Sequence, residues 1–547
     1  MRGVRTRNRA RWSTGPGLLV LVLAVSGCAT LRTNLPRPAP SYEEYSASTR
    51  LAEAFTVREA EHPGQSGVAI LERGPLAWLS RATLADVAER SIDAQYYIYS
   101  DDQTGLVLLQ HLVEAADRGV HVRLLLDDNN LAPGRDVELA SLDRHPNIEV
   151  RVFNPSPFRE SWLRRTQYLT NLARANHRMH NKMYVVDGEV AIVGGRNIGD
   201  TYFNFDPSEN YSDLDLLVAG PAARSLVDSF DAYWNSSWAY SAQALVPSAP
   251  TEEQTQQMLA TLKAAAERAD QKQRGYAFAK NDYLDSLLRA PDELEWSEVE
   301  VVSDDPDKID PEQQRATGAH HVPSRVAARI AQAWDATQQE LLIESAYFVP
   351  RSAGMAQFAE LRRRGVTITV LTNSLSSTDV PAVHAGYRER RHKLLEMGVH
   401  LYEFERTALP NQAAQRHLHE RPQDTWQEGR SSAASLHTKL MVFDRELAWV
   451  GSYNIDPRSH FLNTEVGLMV HSPAIARRLA ELAEGDLAPD RSWKVELEPQ
   501  PDGTKRLTWT GVRHGQVVKS HTEPDADWEL RAWVGFLSEV PGLDSFL

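Results

Sequence analysis

The chain has 547 residues, 42% of them apolar and 24% charged, which allows roughly two to four compact domains and excludes a disulfide miniprotein or a disordered tail. No apolar run reaches the ~18 residues needed to cross a bilayer. Lysine and arginine number 59 against 74 aspartates and glutamates, a balance of −15, so adhesion to nucleic acid or anionic lipid through overall charge is disfavoured and any phosphate site must be local.

Arg2, Arg5, Arg7, Arg9 and Arg11 form an acid-free basic leader, followed by an apolar run from Leu18 to Val25. The leader, the short apolar stretch and their position are those of a secretory signal peptide. Val25-Ser26-Gly27-Cys28 resembles a bacterial lipobox, with Val where Leu is more usual, and implies cleavage before Cys28 and diacylglyceryl attachment to its sulfur. Cys28 is the only cysteine, so no internal disulfide forms. Loss of residues 1–27 removes five arginines and leaves a balance of −20. Attachment then rests on acyl chains, about 0.8 kcal/mol per buried CH₂, rather than on a polybasic surface. Ala29 after Cys28 resembles the outer-membrane sorting signal. An exported, membrane-anchored lipoprotein is expected, periplasmic or outer-membrane in a Gram-negative organism.

From Cys28 to about residue 60, with Pro36, Pro38 and Pro40, the chain reads as a tether leading into an entry helix. Ser91–Tyr99 and Arg118–Leu126 are strands with an amphipathic helical segment between them, and the order returns about 250 positions later in Leu341–Val349, a helix and Arg364–Leu371. Such apolar β-rich runs predict parallel strands buried on both faces. The long repeat distance means a duplicated domain rather than a solenoid. Between the copies, Thr251–Gly275 is polar and helix-prone, and an acidic stretch follows around Asp304-Asp305-Pro306. Near the end, Pro501-Asp502-Gly503 between Val495–Glu498 and Arg506–Trp509 predicts a β-hairpin. The expected organisation is a signal peptide (1–27), tether and entry helix (28–60), first half (61–245), connecting insertion (246–320), second half (321–489), and C-terminal hairpin and helix (490–547).

Each half carries the pattern HxKxxxxDxxxxxxG[GS]xN. His180, Lys182, Asp187, Gly194, Gly195 and Asn197 correspond to His437, Lys439, Asp444, Gly451, Ser452 and Asn454. Alternation along an extended segment puts His and Lys on one face. Two halves joined across a pseudo-dyad would surround a phosphodiester with two imidazoles, two ammonium groups and two amides. Lysine and Asn NH₂ groups can hold non-bridging oxygens. One neutral imidazole can attack phosphorus while the other, protonated, donates to the departing alkoxide. Histidine suits both tasks because its unperturbed pKa is about 6.5.

Asp213 and Glu465 each head a buried strand after their motif, placed to accept a hydrogen bond from the non-reacting nitrogen of a histidine. Asp187 and Asp444 belong to the catalytic motif, with anchorage of the strand turn favoured over a direct chemical role. No cysteine or carboxylate cluster of metal-ligand spacing lies near these residues, so neither metal nor cofactor is expected.

At these residues the chain resembles the phospholipase D superfamily, whose members carry two HKD motifs. Arg178–Lys182, Gly194–Asp200, Leu124–Asn129, Leu371–Leu375, Val383–Tyr387 and Gly451–Ser459 look like the bacterial cardiolipin synthase C branch. The resemblance runs from about Glu61 to the end. It implies an α/β duplicated phospholipase D fold: two mixed or parallel β-sheet halves flanked by helices, with the active site between them. It also implies a metal-free ping-pong transfer of a phosphatidyl group from phosphatidylglycerol or phosphatidylethanolamine, through a phosphohistidine, to phosphatidylglycerol. His180 is then the nucleophile and His437 the acid and base, an assignment the near-equivalent halves leave open by themselves. Asn197, Asn454 and Ser452 would contact phosphate, with Gly195 in the place of Ser452 making those contacts unequal.

Hydrolysis by the same first step is the alternative, and nuclease activity a more distant one. The expected partners are phospholipids and a membrane surface, not nucleic acid, for a chain active as a monomer. His384, Tyr387 and the basic run Arg388, Arg390, Arg391, His392 and Lys393 fit a head-group entrance or a solvated helix face equally. Tyr96, Tyr97, Tyr347, Phe348, Trp234 and Trp238 read as core.

Overall fold

A computed structural model describes residues 48–131, 134–157, 159, 176–272, 294–310, 324–407 and 433–539. The expected signal peptide, Cys28 and most of the expected tether lie outside them.

Helix α1 (Arg50–Glu61), N-capped by the Thr49 hydroxyl, leads to β1 (Ser66–Leu71) and α2 (Gly74–Val87). Then come β2 (Ser91–Tyr96), α3 (Gln103–Asp117), β3 (His121–Asp127), α4 (Arg135–Leu142) and β4 (Ile148–Phe153). Right through this stretch each strand is followed by a helix, the crossover that parallel pairing requires, and β2, β3 and β4 are parallel neighbours. The rest of the half comprises β5 (Arg178–Met179), β6 (Met183–Val186), β7 (Val190–Gly194), β8 (Glu209–Ser212), β9 (Asp215–Ala219), α5 (Pro221–Trp234) and β10 (Ala239–Ser241). The sheet runs β10-β4-β3-β2-β6-β7-β9-β1, antiparallel outside its parallel centre.

After α6 (Glu252–Lys272) and β11 (Glu295–Ser303) the design repeats. It comprises α7 (Arg325–Ala336), β12 (Glu340–Ser345), α8 (Ser352–Arg363), β13 (Thr367–Asn373), α9 (Pro381–Glu396) and β14 (His400–Phe404). Next are β15 (Ala433–Leu436), β16 (Lys439–Phe443), β17 (Leu447–Gly451), β18 (Asn463–Thr464), β19 (Val466–His471) and α10 (Pro473–Asp486). The order β19-β17-β16-β12-β13-β14 reproduces β9-β7-β6-β2-β3-β4 with the same strand directions. The chain ends in β20 (Ser492–Pro499), β21 (Lys505–Arg513), β22 (Gln516–Ser520) and α11 (Trp528–Ser538).

Residues 246–320 do more than connect. Within them β11 pairs antiparallel with β1 through Glu295–Ser297 and with β19 through Glu298–Ser303, so it belongs to both sheets. The hairpin expected after Asp490 is a three-stranded meander whose first strand pairs with β14. Gly503 turns it at φ +83°, where a side chain would be strained.

One apolar cluster is shared by the halves: α5 contributes Leu226 and Phe230, α10 contributes Ile475 and Leu479, and both sheets add residues such as Val193 and Val450. Separate clusters fill the outer faces under α2, α3 and α4 and under α7, α8 and α9. Trp234 is buried, while Trp238 is only partly so.

Candidate active site

Two very short parallel pairings stitch the halves together. Met179 of β5 lies opposite Thr464 of β18, and Leu436 of β15 opposite Ser212 of β8. In-register continuation by one residue brings His180 against Glu465 and His437 against Asp213, each pair drawn from different halves. Backbone bonds hold the junctions: His180 N donates to Thr464 O (2.9 Å) and His437 N to Ser212 O (2.8 Å).

The side chains follow this register. Glu465 Oε2 lies 2.9 Å from His180 Nδ1, and Asp213 Oδ2 lies 2.6 Å from His437 Nδ1. A carboxylate on Nδ1 fixes the proton there and leaves Nε2 as the reactive nitrogen of each ring. Lys182 Nζ donates to His180 O (2.7 Å) and Lys439 Nζ to His437 O. Both histidines and both lysines are buried, and each histidine feels the charges of both lysines. The two motifs therefore lie near enough to act on one another's charge.

The two ring–acid pairs are electrically unequal. Burial, then Lys182 and Lys439, hold His180 well below the usual imidazole value. Burial raises its partner Glu465 to about 7. Burial also pushes Asp213 upward, but the adjacent His437 ring and the bond to it, with Lys439 and Arg196, more than offset this and lower the carboxyl. Burial and Lys439 lower His437, with Asp213 opposing them. Burial brings Lys182 down to about 7.

Asn197 Oδ1 accepts from Ile98 N (3.1 Å), and Asn454 Oδ1 from Tyr347 N (3.4 Å). Tying down the oxygens orients the amide NH₂ groups. Asn197 Nδ2 has no hydrogen bond of good geometry among the described residues, its polar neighbour being the Tyr202 hydroxyl.

Ser452 departs from the expected phosphate contact: its hydroxyl donates to Glu465 Oε2 (2.5 Å) and accepts from Val466 N (3.0 Å). It steadies the carboxylate. In the other half a Cβ on Gly195 would lie 2.0 Å from Asp213 Oδ1, so the shorter acid occupies the space that the serine side chain fills beside the longer one.

Asp187 and Asp444 sit at the far ends of β6 and β16 from the histidines. Both adopt φ +53°, a left-handed conformation that Asp tolerates better than most residues. Asp187 accepts from the backbone N–H groups of Glu89, Arg90 and Ser91, and Asp444 from those of Gln338, Gln339 and Glu340. These bonds tie each turn to the start of β2 or β12. Their grouping with the reacting residues is therefore corrected to a turn anchor.

Other site residues escaped the sequence. The Tyr97 ring meets His180 edge-on at 5.0 Å and lies 5.5 Å from Lys182 Nζ. Tyr202 and Tyr211 flank His437 at 5.3 and 5.2 Å, and the Tyr347 hydroxyl donates to Asp379 Oδ2 (2.9 Å). Tyr96 and Phe348 are core as expected, but Tyr97 and Tyr347 face the site. The expected alternation of a strand would have separated each pair. Behind Glu465, its N–H donates to Asp304 Oδ2 (3.2 Å), which Lys308 Nζ also holds (2.7 Å). His384 and Tyr387 line no entrance; they are buried beside Arg391, which pairs with Glu403 and Glu523 at 2.8 and 2.7 Å.

Residues 83–238 and 330–487 match the family model described as cardiolipin synthase, PLD-like domain. The chain is 37% identical over 494 residues to cardiolipin synthase C of Escherichia coli K12, covering 90% of this chain and 98% of that protein. It is 32% identical to an uncharacterized protein of Helicobacter pylori 26695, covering 93% and 95%. The phosphatidylserine synthase of Haemophilus influenzae Rd KW20 shares the fold, with a TM-score of 0.50 at 13% identity, covering 81% of this chain and 92% of that one. The protein thus belongs to the phospholipase D superfamily, in the family of cardiolipin synthase PLD-like domains.

Proposed function

We propose that this phosphatidyltransferase makes cardiolipin, with His180 as nucleophile and a phosphatidyl-histidine as intermediate. The observation that carries the reading is the pair of cross-half contacts that set a carboxylate on Nδ1 of each motif histidine. Burial and the lysines hold His180 well below the usual imidazole value, which suits a nucleophile, while at His437, also lowered by burial and Lys439, the Asp213 carboxylate opposes that lowering and suits the ring to pass a proton.

In the first step His180 Nε2 bonds to phosphorus, the P–O bond to the head-group alcohol breaks, and His437 gives that oxygen its proton. In the second, neutral His437 takes the proton of a phosphatidylglycerol hydroxyl, that oxygen bonds to phosphorus, and the P–N bond breaks. Lys182, Lys439 and the amides of Asn197 and Asn454 carry the charge that grows on the non-bridging oxygens. The donor is phosphatidylglycerol or phosphatidylethanolamine, which release glycerol or ethanolamine. One chain supplies both halves, so a monomer suffices, and lipidation at Cys28 would anchor the exported protein to its substrate.

The test is mass spectrometry of products and protein. Phosphatidylglycerol alone should give cardiolipin and glycerol, and the His437→Asn variant should accumulate a phosphatidyl adduct on the peptide containing His180. Phosphatidic acid as the main product would make the enzyme a hydrolase. An adduct on His437 of the His180→Asn variant, with none on His180, would reverse the roles.

A further inference from the structure

Five large apolar side chains are exposed among the described residues, and three of them, Trp528 (70%), Trp533 (53%) and Phe536 (62%), stand on the 11-residue helix α11. At 100° per residue these three span one side of the helix. The opposite side is seated: Val534 is fully buried with Leu375, Ala385 and Ala526, and Leu530 and Leu537 pack around it. The aromatic face is therefore held outward by a fixed core contact, with Trp533 and Phe536 stacked at 5.8 Å.

Its place in the molecule connects it to the chemistry. Leu375 comes two residues after Asn373, whose side chain bonds both the C=O and the N–H of Leu436, the residue before His437. Ala385 lies on α9, which starts just after Asp379, the partner of Tyr347 at the pocket. So α11 is seated at the end of the second sheet that carries His437. Charges of both signs border it: a Cβ on Gly535 would lie 3.4 Å from Arg388 Nη1, Arg388, His392 and Lys393 are exposed along α9 with Glu389 and Glu396, and Glu529 is exposed on α11 itself. Trp and Phe favour the bilayer–water interface, and the Arg388 cation beside them suits a headgroup phosphate. No described helix is long and apolar enough to cross a membrane.

We propose that Trp528, Trp533 and Phe536 dock the protein on a phospholipid bilayer, setting the reacting histidines at the headgroup layer. This deepens the reading above, since it rests on the substrate being a bilayer lipid. The test uses the full-length chain and a Trp528→Ala/Trp533→Ala/Phe536→Ala variant, with circular dichroism to verify folding. Fluorescence is read on phosphatidylglycerol vesicles with and without brominated acyl chains.

The native chain should show a bromine-quenched component that the variant lacks. The variant should lose at least tenfold in kcat/KM on vesicles and less than twofold on monomeric short-chain phosphatidylglycerol. Equal quenching in the two proteins would overturn the proposal. So would sedimentation showing that the aromatics join two copies, or their burial by residues 540–547 on the vesicle-bound chain. A native chain that is quenched but inactive on every lipid would instead refute the proposed function and leave docking standing.

Discussion

Asp213→Asn is informative because it changes the first half and disables the histidine of the second. The carboxylate lies 2.6 Å from His437 Nδ1, and both side chains are buried. A hydrogen bond to a charged group contributes about 1.5–3 kcal/mol, and at about 1.4 kcal/mol per factor of ten its loss from the transition state costs roughly 10- to 150-fold. An amide also fixes the tautomer less firmly, so we expect about 100- to 1,000-fold in kcat on phosphatidylglycerol. Step-specific substrates locate the loss. A phosphatidyl ester of p-nitrophenol leaves without a proton, so its release burst should fall less than tenfold. The sign with pH also follows. Without the carboxylate His437 is less basic, and because a general acid works only when protonated, the alkaline limb of kcat moves to lower pH. Equal losses on both substrates, or a loss below threefold on phosphatidylglycerol, would refute the cross-half arrangement as the source of activity.

Asp187→Ala should lower stability by about 2–4 kcal/mol, since three backbone donors at the start of β2 lose a shared acceptor, with kcat per folded molecule within threefold; urea titration and active-site counting check this. Gly195→Ala should reproduce the substrate pattern of Asp213→Asn, because its Cβ takes the place of Oδ1, whereas Ser452→Ala should cost roughly three- to tenfold on both substrates through Glu465. A pH profile of kcat/KM should fall as pH rises through about 7, where Lys182 loses its proton. Burial holds the folded pKa below the ordinary lysine value of 10.5, so the burial penalty is fully present below pH 7 and fades as pH rises towards 10.5. Lys182→Met should accordingly raise the melting temperature more at pH 6 than at pH 10, and the opposite order would contradict a buried charge there.

The HxK pairs, the parallel strands and the duplication were readable because each is a local pattern repeated at fixed offsets. The acids were readable as residue types but not as partners. Their pairing depends on β5, β8, β15 and β18, two to four residues each, too short for alternation to announce them. Ser452 looked like a phosphate ligand because a hydroxyl beside a glycine turn has no visible acceptor until the chain folds. Tyr97 and Tyr347 read as core because their neighbours are apolar, but each lies just past the end of its strand, β2 ending at Tyr96 and β12 at Ser345. Strand β11 alternates Glu and Val in an acidic region, which masks a strand that pairs along both edges.

That strand has a mechanical consequence. Because β11 hydrogen-bonds to β1 and to β19, swinging the two jaws apart would tear a ladder on one side or the other, besides prising open a common apolar filling. Among the described residues, β11 thus ties the two sheets to one another at the waist. A shared ladder and a shared filling favour the two halves moving as one body, so the carboxylate lent by each half keeps its distance to the histidine of the other.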